Sequence, residues 1–201
     1  MSSSAVCPDG KPRCKWSLSA PDFIDYHDKE WGFPVSDDRI LFEKICLEGF
    51  QSGLSWRTIL AKREDFRIAF KNFEIEKVAR YNTRSVEKLL TNEGIVRHRG
   101  KIEATINNAK KAIDLIEEKG SLAAFFWHYE PDPSDVDPPQ TVSVSKESTA
   151  ISKELKKRGW KFVGPTTVFA FMQAMGLIND HVHGCCVREK VEEARNKFKR
   201  P

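Results

Sequence analysis

Hydrophobic positions along this chain recur mostly at helical spacing. Over "SDDRILFEKICLEGF", Ser36 or Asp37 can cap a helix whose Leu41 and Ile45 fall on one stripe. The same stripe reaches Glu48, and a carboxylate among apolar neighbours is costly unless it finds a partner. That partner is either an ordinary core group or a ligand in a pocket. "SWRTILAKRE" starts a helix at Ser55, and "TRSVEKLL" follows a cap at Asn82 or Thr83 and stops by Gly94. "RGKIEATINNAKKAIDLIEEKG" puts Ile102, Ile106, Ala109, Ile113 and Ile116 on one face and ends at Gly120. "SLAAFFWHY" is short and apolar. "STAISKELKKRG" turns Ile151 and Leu155 inward and ends at Gly159. "PTTVFAFMQAMG" has Pro165 suited to a first helical turn and Gly176 past its end. Only "TVSVS", 141–145, alternates like a strand, and it is too short to found a sheet. The pattern predicts an all-α domain without internal repeats. Proline and aspartate make 130–140 a loop. Residues 1–13 read as a flexible extension, 14–186 as the folded domain, and 187–201 as a charged, weakly helical, solvated extension.

Composition narrows the class. The 201 residues are 40% hydrophobic and 31% charged, which suits a soluble globular protein. No apolar run of about 18 residues predicts a membrane span. The N-terminus "MSSSAVCPDGKPR" lacks the apolar core of a signal peptide, so a cytoplasmic location is expected. Five cysteines, an odd number, fit reduced thiols and metal ligands better than a disulfide framework. A net charge of +4 and a pI near 8.7 permit nucleic-acid binding without demanding it.

Three stretches carry candidate chemistry. "NDHVHGCC", 179–186, places His181 and Cys185 on one face of a helical turn, but a closed zinc site needs four ligands. Cys14 and His27, in "CKW…YHDKEWG", can supply two more. A Cys2His2 set split between the chain ends would act as a clip closing a long loop. His183, Cys186 and Cys7 are rival ligands that spacing does not exclude. In "KKRGWKFVGPTTVFAF", two helices meet through a turn with glycines at 159 and 164. The amides after Val163 would leave a helix N-terminus able to hold a phosphate, with Lys153, Lys156, Lys157, Arg158 and Lys161 around it. A plain connection with a solvated lysine face is the bland alternative. In "EGFQSGLSW", Leu54 sits in a small-residue loop, either as core or as a wedge for a base stack.

Together these stretches resemble the DNA-3-methyladenine glycosylase I family of the helix-hairpin-helix DNA glycosylase superfamily. The resemblance runs from about Cys14 to Cys186 and is carried by "RCKW", "YHDKEWG", "LFEKICLEGFQSGLSW", "GIVRHRGKIEA", "LKKRGWKFVGPTTVFAFMQAMGLINDHV" and "GCC". It implies a helix-hairpin-helix architecture with a zinc clip joining the N- and C-terminal segments. The implied activity is monofunctional excision of 3-methyladenine from alkylated double-stranded DNA, by a monomer. It further implies one structural Zn2+ on Cys14, His27, His181 and Cys185. The base pocket would be formed by Trp16, Tyr26, Trp56 and Glu48, with Glu48 as the essential carboxylate. DNA contacts would come from Gly53 and Leu54 in the loop and from Gly159, Lys161, Gly164 and Thr166 at the hairpin. Phe23 stands where the family commonly has tyrosine, which removes a hydroxyl near the pocket.

The chemistry suits these residues. Methylation at N3 makes the base a cation that leaves as a neutral species, so no general acid is required. Trp16 and Trp56 can sandwich a cationic purine, and Glu48 can accept from its exocyclic amine. Asp180, beside His181, reads as a partner of that ligand or as a helix cap rather than as a catalytic aspartate. Two other classes compete. One is a non-catalytic, zinc-containing DNA-damage-binding module of the same fold. The other is a zinc hydrolase or nuclease, which would keep only three protein ligands and a bound water.

Overall fold

The computed structural model describes residues 4–7 and 9–201. Residues 1–3 and 8, part of the segment read as an extension, lie outside the described residues. Strand Ser4–Val6 (β1) pairs antiparallel with Pro12–Cys14 (β2), with Ser4 opposite Cys14. Three-residue strands are too short for an alternating pattern to reveal, and they make the fold mainly rather than wholly helical. They are the one sheet among the described residues. "TVSVS" forms no strand; Ser145 instead caps a helix.

A 3-10 turn, Lys15–Leu18, leads into helix Pro21–Lys29 (α1), which opens on proline without a side-chain cap. Helix Asp38–Gln51 (α2) follows; the Asp37 carboxylate accepts from the Ile40 amide at 2.9 Å. Residues 41–50 are buried without interruption, so α2 is covered on every side rather than along one stripe. The burial includes Glu43, Lys44 and Glu48. Such charges stay inside only when paired. Glu43 is held by Arg67 at 2.7 Å and Lys44 by Glu48 at 2.8 Å.

The helix expected from Ser55 is two, Trp56–Ala61 (α3) and Arg63–Ala69 (α4), broken at Lys62. Short helices Ile75–Ala79 (α5) and Thr83–Leu90 (α6) come next; Asn82 and Ser85 form a capping box at the start of α6. Between α4 and α6, Phe66, Phe70, Phe73 and Tyr81 stack in series and seal the end of α2 near Phe50. Helix Arg99–Lys119 (α7) packs across α2 and α5. Its buried face shifts along its length from Ile102 and Ile106 to Ala112 and Leu115, leaving Ile113 and Ile116 only half-buried. The drift follows because 3.6 residues per turn do not divide a seven-residue spacing.

Helix Leu122–Trp127 (α8) contacts both α2 and α7. Helices Lys146–Lys157 (α9) and Pro165–Ala174 (α10) form the expected helix–turn–helix, with α10 lying against α2. Between α8 and α9, 130–140 is a loop with one 3-10 turn, Pro133–Asp135. The last helix, Arg188–Lys197 (α11), belongs to the tail expected to be solvated. Val191 is fully buried, and Arg195 donates to the Gly176 carbonyl and to Glu130 at 2.9 Å. One apolar side chain and one paired arginine dock a helix that is otherwise charged.

Truncating Phe70 to Ala removes the middle ring of the aromatic series. Urea unfolding is expected to show a loss of about 3–5 kcal/mol.

Candidate active site and metal centre

A cavity of about 530 Å3 opens between the N-terminal segment, α2, α3 and α10. Trp16, Phe23, Tyr26, Trp31, Glu48, Trp56, Gln140 and Gln173 are among its walls. Four helices converge here, α10 contributing Ala170 and Gln173. α1 brings Phe23 and Tyr26 on one face, α2 brings Glu48 from the protein interior, and α3 presents Trp56 in its first turn. Trp16 and Trp56, both half-buried, contribute to the same cavity. Trp16 is fixed edge-on against Phe23, Trp31 and His27. Phe23 is a cavity wall, so the wall is apolar at the position where a tyrosine hydroxyl would have stood.

The four expected pocket residues therefore meet, and they meet around one that spacing did not single out. Lys44, one turn before Glu48, is buried with it. Its ammonium lies 2.8 Å from Glu48 Oε1 and donates to the Tyr26 hydroxyl at 2.7 Å. It also sits 3.5 Å from the centroid of Trp56. Burial pulls the Lys44 amine below the usual lysine range, and Glu48 opposes that shift. Burial, then the nearby Glu48, pushes the Tyr26 phenol well up, so it remains a neutral hydrogen-bonding group. An i, i+4 pair of opposite charge was visible in the sequence, but nothing there marked it as buried.

Behind the cavity, Cys14, His27, His181 and Cys185 form a fully buried group with all four ligand atoms within 4.8 Å of one another. His27 Nε2 and His181 Nδ1 lie 3.2 Å apart. Cys14 Sγ is 3.7 Å from His181 Nδ1, and Cys185 Sγ is 3.5 Å from it and 3.6 Å from His27 Nε2. A tetrahedral ion with bonds of about 2.1 Å to nitrogen and 2.3 Å to sulfur needs edges of about 3.4–3.8 Å, so the group fits a four-coordinate metal. The charge distribution fits as well. The Cys14 thiol beside it, with His181 and His27, pulls the Cys185 thiol below its usual range, while Cys185 and burial push the Cys14 thiol up. The Val182 amide points at Cys14 Sγ from 3.5 Å.

The other ring nitrogens are also fixed. His27 Nδ1 meets Asp28 at 2.7 Å, and His181 Nε2 meets the Trp31 carbonyl at 3.0 Å. Burial raises the Asp28 carboxyl, but Arg13 and His27 outweigh it and hold Asp28 below the usual carboxylate range. Gly32 leaves room for this arrangement: a Cβ there would stand 3.1 Å from His181 Nε2. His181 and Cys185 are joined by a tight turn, not a helical one, with the Cys185 amide donating to the Val182 carbonyl. The rivals lie outside the group: His183 is exposed, Cys186 half-buried, and Cys7 buried on the hairpin. Asp180 neither caps a helix nor orients His181. It accepts from the Gln140 amide at 2.8 Å and from Gln173 at 2.6 Å, tying the 130–140 loop to α10 beside the cavity.

Two further loops carry the residues expected to meet DNA. Gly53 and Leu54 follow α2, and Leu54 is 43% exposed. Lys101 holds this loop from below, donating to the Phe50 carbonyl at 2.8 Å and the Ser52 carbonyl at 2.5 Å. The α9–α10 turn is braced from α7. Asn107 donates to the Gly159 carbonyl at 2.8 Å, and Asn108 both donates to the Lys161 carbonyl and accepts from its amide at 2.9 Å. Gly159 adopts φ 86° and Gly164 an ordinary φ of −64°. Gly164 precedes an α10 N-terminus without a side-chain cap, which leaves amides for an anion. Lys161 and Thr166 are exposed there. Arg158, expected beside the turn as free positive charge, instead pairs with Glu118 and Glu154.

A family profile described as methyladenine glycosylase matches residues 16–189. The chain is 48% identical to DNA-3-methyladenine glycosylase 1 of Escherichia coli (strain K12), over 87% of this chain and 95% of the relative. It is 45% identical to the DNA-3-methyladenine glycosylase of Haemophilus influenzae, over 86% and 96%. Among solved structures it is similar to the 3-methyladenine DNA glycosylase I of Staphylococcus aureus, described for its recognition of 3-methyladenine. There the TM-score is 0.83 and the identity 38%, over 88% of this chain and 96% of that one.

Lys101→Met would leave two carbonyls under the Gly53–Leu54 loop without their donor. A loss of about 1–3 kcal/mol in stability is expected, with faster amide hydrogen exchange at Gly53 and Leu54 than at the α9–α10 turn.

Proposed function

This chain belongs to the methyladenine glycosylase family, enzymes that hydrolyse N-glycosyl bonds, and on that premise we propose that it releases 3-methyladenine from alkylated double-stranded DNA as a monofunctional base-excision enzyme. The observation that carries the reading is the cavity in which Trp16, Trp56, Tyr26 and the buried Glu48 converge. The damaged nucleotide is extruded from the duplex, and its base enters this cavity. Trp16 and Trp56 offer π faces to the purine, and Glu48 accepts from its exocyclic amine edge. Water adds at C1′ as the C1′–N9 bond breaks, its extra proton is released to solvent, and the bonding electrons pass into the purine, cancelling its positive charge. The base leaves neutral without being protonated, so the pocket needs no general acid and no amine nucleophile for a lyase step. Glu48 is the essential carboxylate of this scheme. Leu54, carried by Gly53, fills the gap left in the stack. Gly159, Lys161, Gly164 and Thr166 hold the backbone through amides and charge.

Cys14, His27, His181 and Cys185 are assigned to one structural Zn2+. When bound, the ion supplies a cross-link between chain ends, since four protein ligands close its coordination. The glycosylase domain is taken as 14–186, with 1–13 and 187–201 as flanking segments. Among the described residues no helix is long and apolar enough to cross a membrane. A cytoplasmic monomer acting on DNA is the corresponding reading.

The test is incubation with methylated duplex DNA followed by identification of the free bases. Selective release of 3-methyladenine is expected, and Glu48→Gln should lower kcat/KM by roughly 10–100-fold, the loss of a hydrogen bond to a charged group. Binding of the damaged DNA without release would favour the non-catalytic module of the same fold. Metal analysis should give one zinc per chain. Asp28→Asn, which weakens the hold on His27, is expected to lower zinc affinity about 10–100-fold in a chelator competition.

A further inference from the structure

Two of the described residues that line the cavity carry a full charge, and they stand at different depths. Glu48 is buried, whereas Arg57 is exposed and so marks the rim. Arg57 follows Trp56 in the first turn of α3. That turn is fixed: the Ser55 hydroxyl accepts from the Thr58 amide at 3.2 Å, and Ile59 is fully buried. The backbone at Arg57 is therefore held in place, yet its guanidinium makes no hydrogen bond, ion pair or ring contact among the described residues. Other arginines are neutralised by carboxylates, Arg158 by Glu118 and Glu154 and Arg63 by Glu30. Lys44, the cation paired with Glu48, is buried and also donates to Tyr26, so it has no charge to offer at the rim.

We propose that Arg57 binds a phosphate flanking the extruded nucleotide and thereby positions that nucleotide over the cavity. The proposal rests on the reading that the cavity receives a base from DNA. When a base is turned into a cavity, its phosphates stay outside, because the backbone must still run back to the duplex. A phosphate that reaches the rim meets a guanidinium with all its donors free. The planar fork of arginine offers a phosphate two parallel hydrogen bonds, which fix direction as well as supply charge. The base would then be held by the cavity walls and the phosphate by Arg57, with the C1′–N9 bond between the two anchors. Restraint on both sides of the bond that breaks limits rotation of the sugar and keeps C1′ in one place for water to attack. A free base has no phosphate and cannot use this contact. A stacked, undamaged nucleotide cannot use it either, since its phosphates are not drawn to the rim.

The experiment measures equilibrium binding of the intact zinc-loaded protein over a salt series. One probe is a duplex with a single tetrahydrofuran site, which keeps both flanking phosphates and lacks a base; the other is the same duplex undamaged. Arg57→Gln removes the charge, and Arg57→Lys keeps the charge but loses the fork. For Arg57→Gln, the slope of log K against log salt is expected to become shallower by about one on the tetrahydrofuran duplex and to match wild type on the undamaged one. Arg57→Lys should retain the wild-type slope. In base release from methylated duplex DNA, kcat/KM of Arg57→Gln should fall on the order of tenfold, with calorimetric affinity for free 3-methyladenine changed little. An unchanged slope on the tetrahydrofuran duplex, an equal change on both duplexes, kcat/KM at the wild-type value, or a parallel loss of affinity for the free base overturns the proposal. The salt series contains no cleavable base, so it reads Arg57 alone. Base release by the wild type reads the function on which the proposal rests, and the two can fail separately.

Discussion

The cluster of Cys14, His27, His181 and Cys185 is the constraint from which the cavity takes its shape. It joins positions as far apart as Cys14 and His181, separated by 167 residues. Its members are also the immediate neighbours of the cavity walls. Trp16 is two residues beyond Cys14, Tyr26 directly precedes His27, and the Trp31 carbonyl meets His181. Whatever holds these four side chains together also holds three aromatic walls, because a two-residue connection leaves a side chain little freedom. The hairpin β1–β2 ends in Cys14, and Arg13 meets both Asp9 and Asp28, so the N-terminal segment reaches His27 through a chain of charge-assisted hydrogen bonds. Without a cation, two sulfurs and two imidazoles in one buried space share protons and repel. With one, the same distances become the edges of a tetrahedron.

α2 meets the opposite demand. It crosses the centre of the protein and carries Glu43, Lys44 and Glu48 inward. A buried ion pair adds little net stability, since desolvation offsets most of the Coulomb attraction, yet removing one partner of such a pair costs about 3–5 kcal/mol. Glu43 is satisfied by arginines that come in from the surface, which is a structural solution. Glu48 and Lys44 satisfy one another and Tyr26 at a cavity wall. The same physics therefore yields a pair reached from the surface at one turn of the helix and a pair closed on itself beside a cavity at the next.

Much of this was legible in the chain, and the exceptions share a cause. α2, α6, α7, α9 and α10 declare themselves by stripes of apolar residues, and the starts of α2, α6 and α10 at Asp37, Asn82 and Pro165 follow local chemistry, whereas the Ser145 cap of α9 lies in a stretch that alternates like a strand. α1 has no side-chain cap and few apolar residues, and α11 buries only Val191 and Arg195 and is otherwise tied by Arg188 and Glu192 to the 179–181 turn, so neither leaves a periodic pattern. The residues of the expected pocket and metal group come together, but their orienting partners were hidden. Asp28, Gln140 and Lys101 act through contacts across the fold, and a tertiary hydrogen bond leaves no periodicity behind. Lys44 could be paired with Glu48 from spacing alone. That both were buried depends on α7, α8 and α10 closing over α2, which no local window contains.

α7 shows how the loop after α2 and the α9–α10 turn are kept in register. Lys101 and Asn108 are seven residues apart, two turns, and therefore project from one face about 10 Å apart along the axis. The first grips the carbonyls under Leu54, and the second grips the turn that carries Lys161. Loops move independently when only their own ends restrain them. Here both are bonded to the same rigid rod, so their spacing is set by helix geometry rather than by loop conformation. The long polar helix that a sequence pattern marks only as core-forming on one side thus sets the spacing of two loops on another.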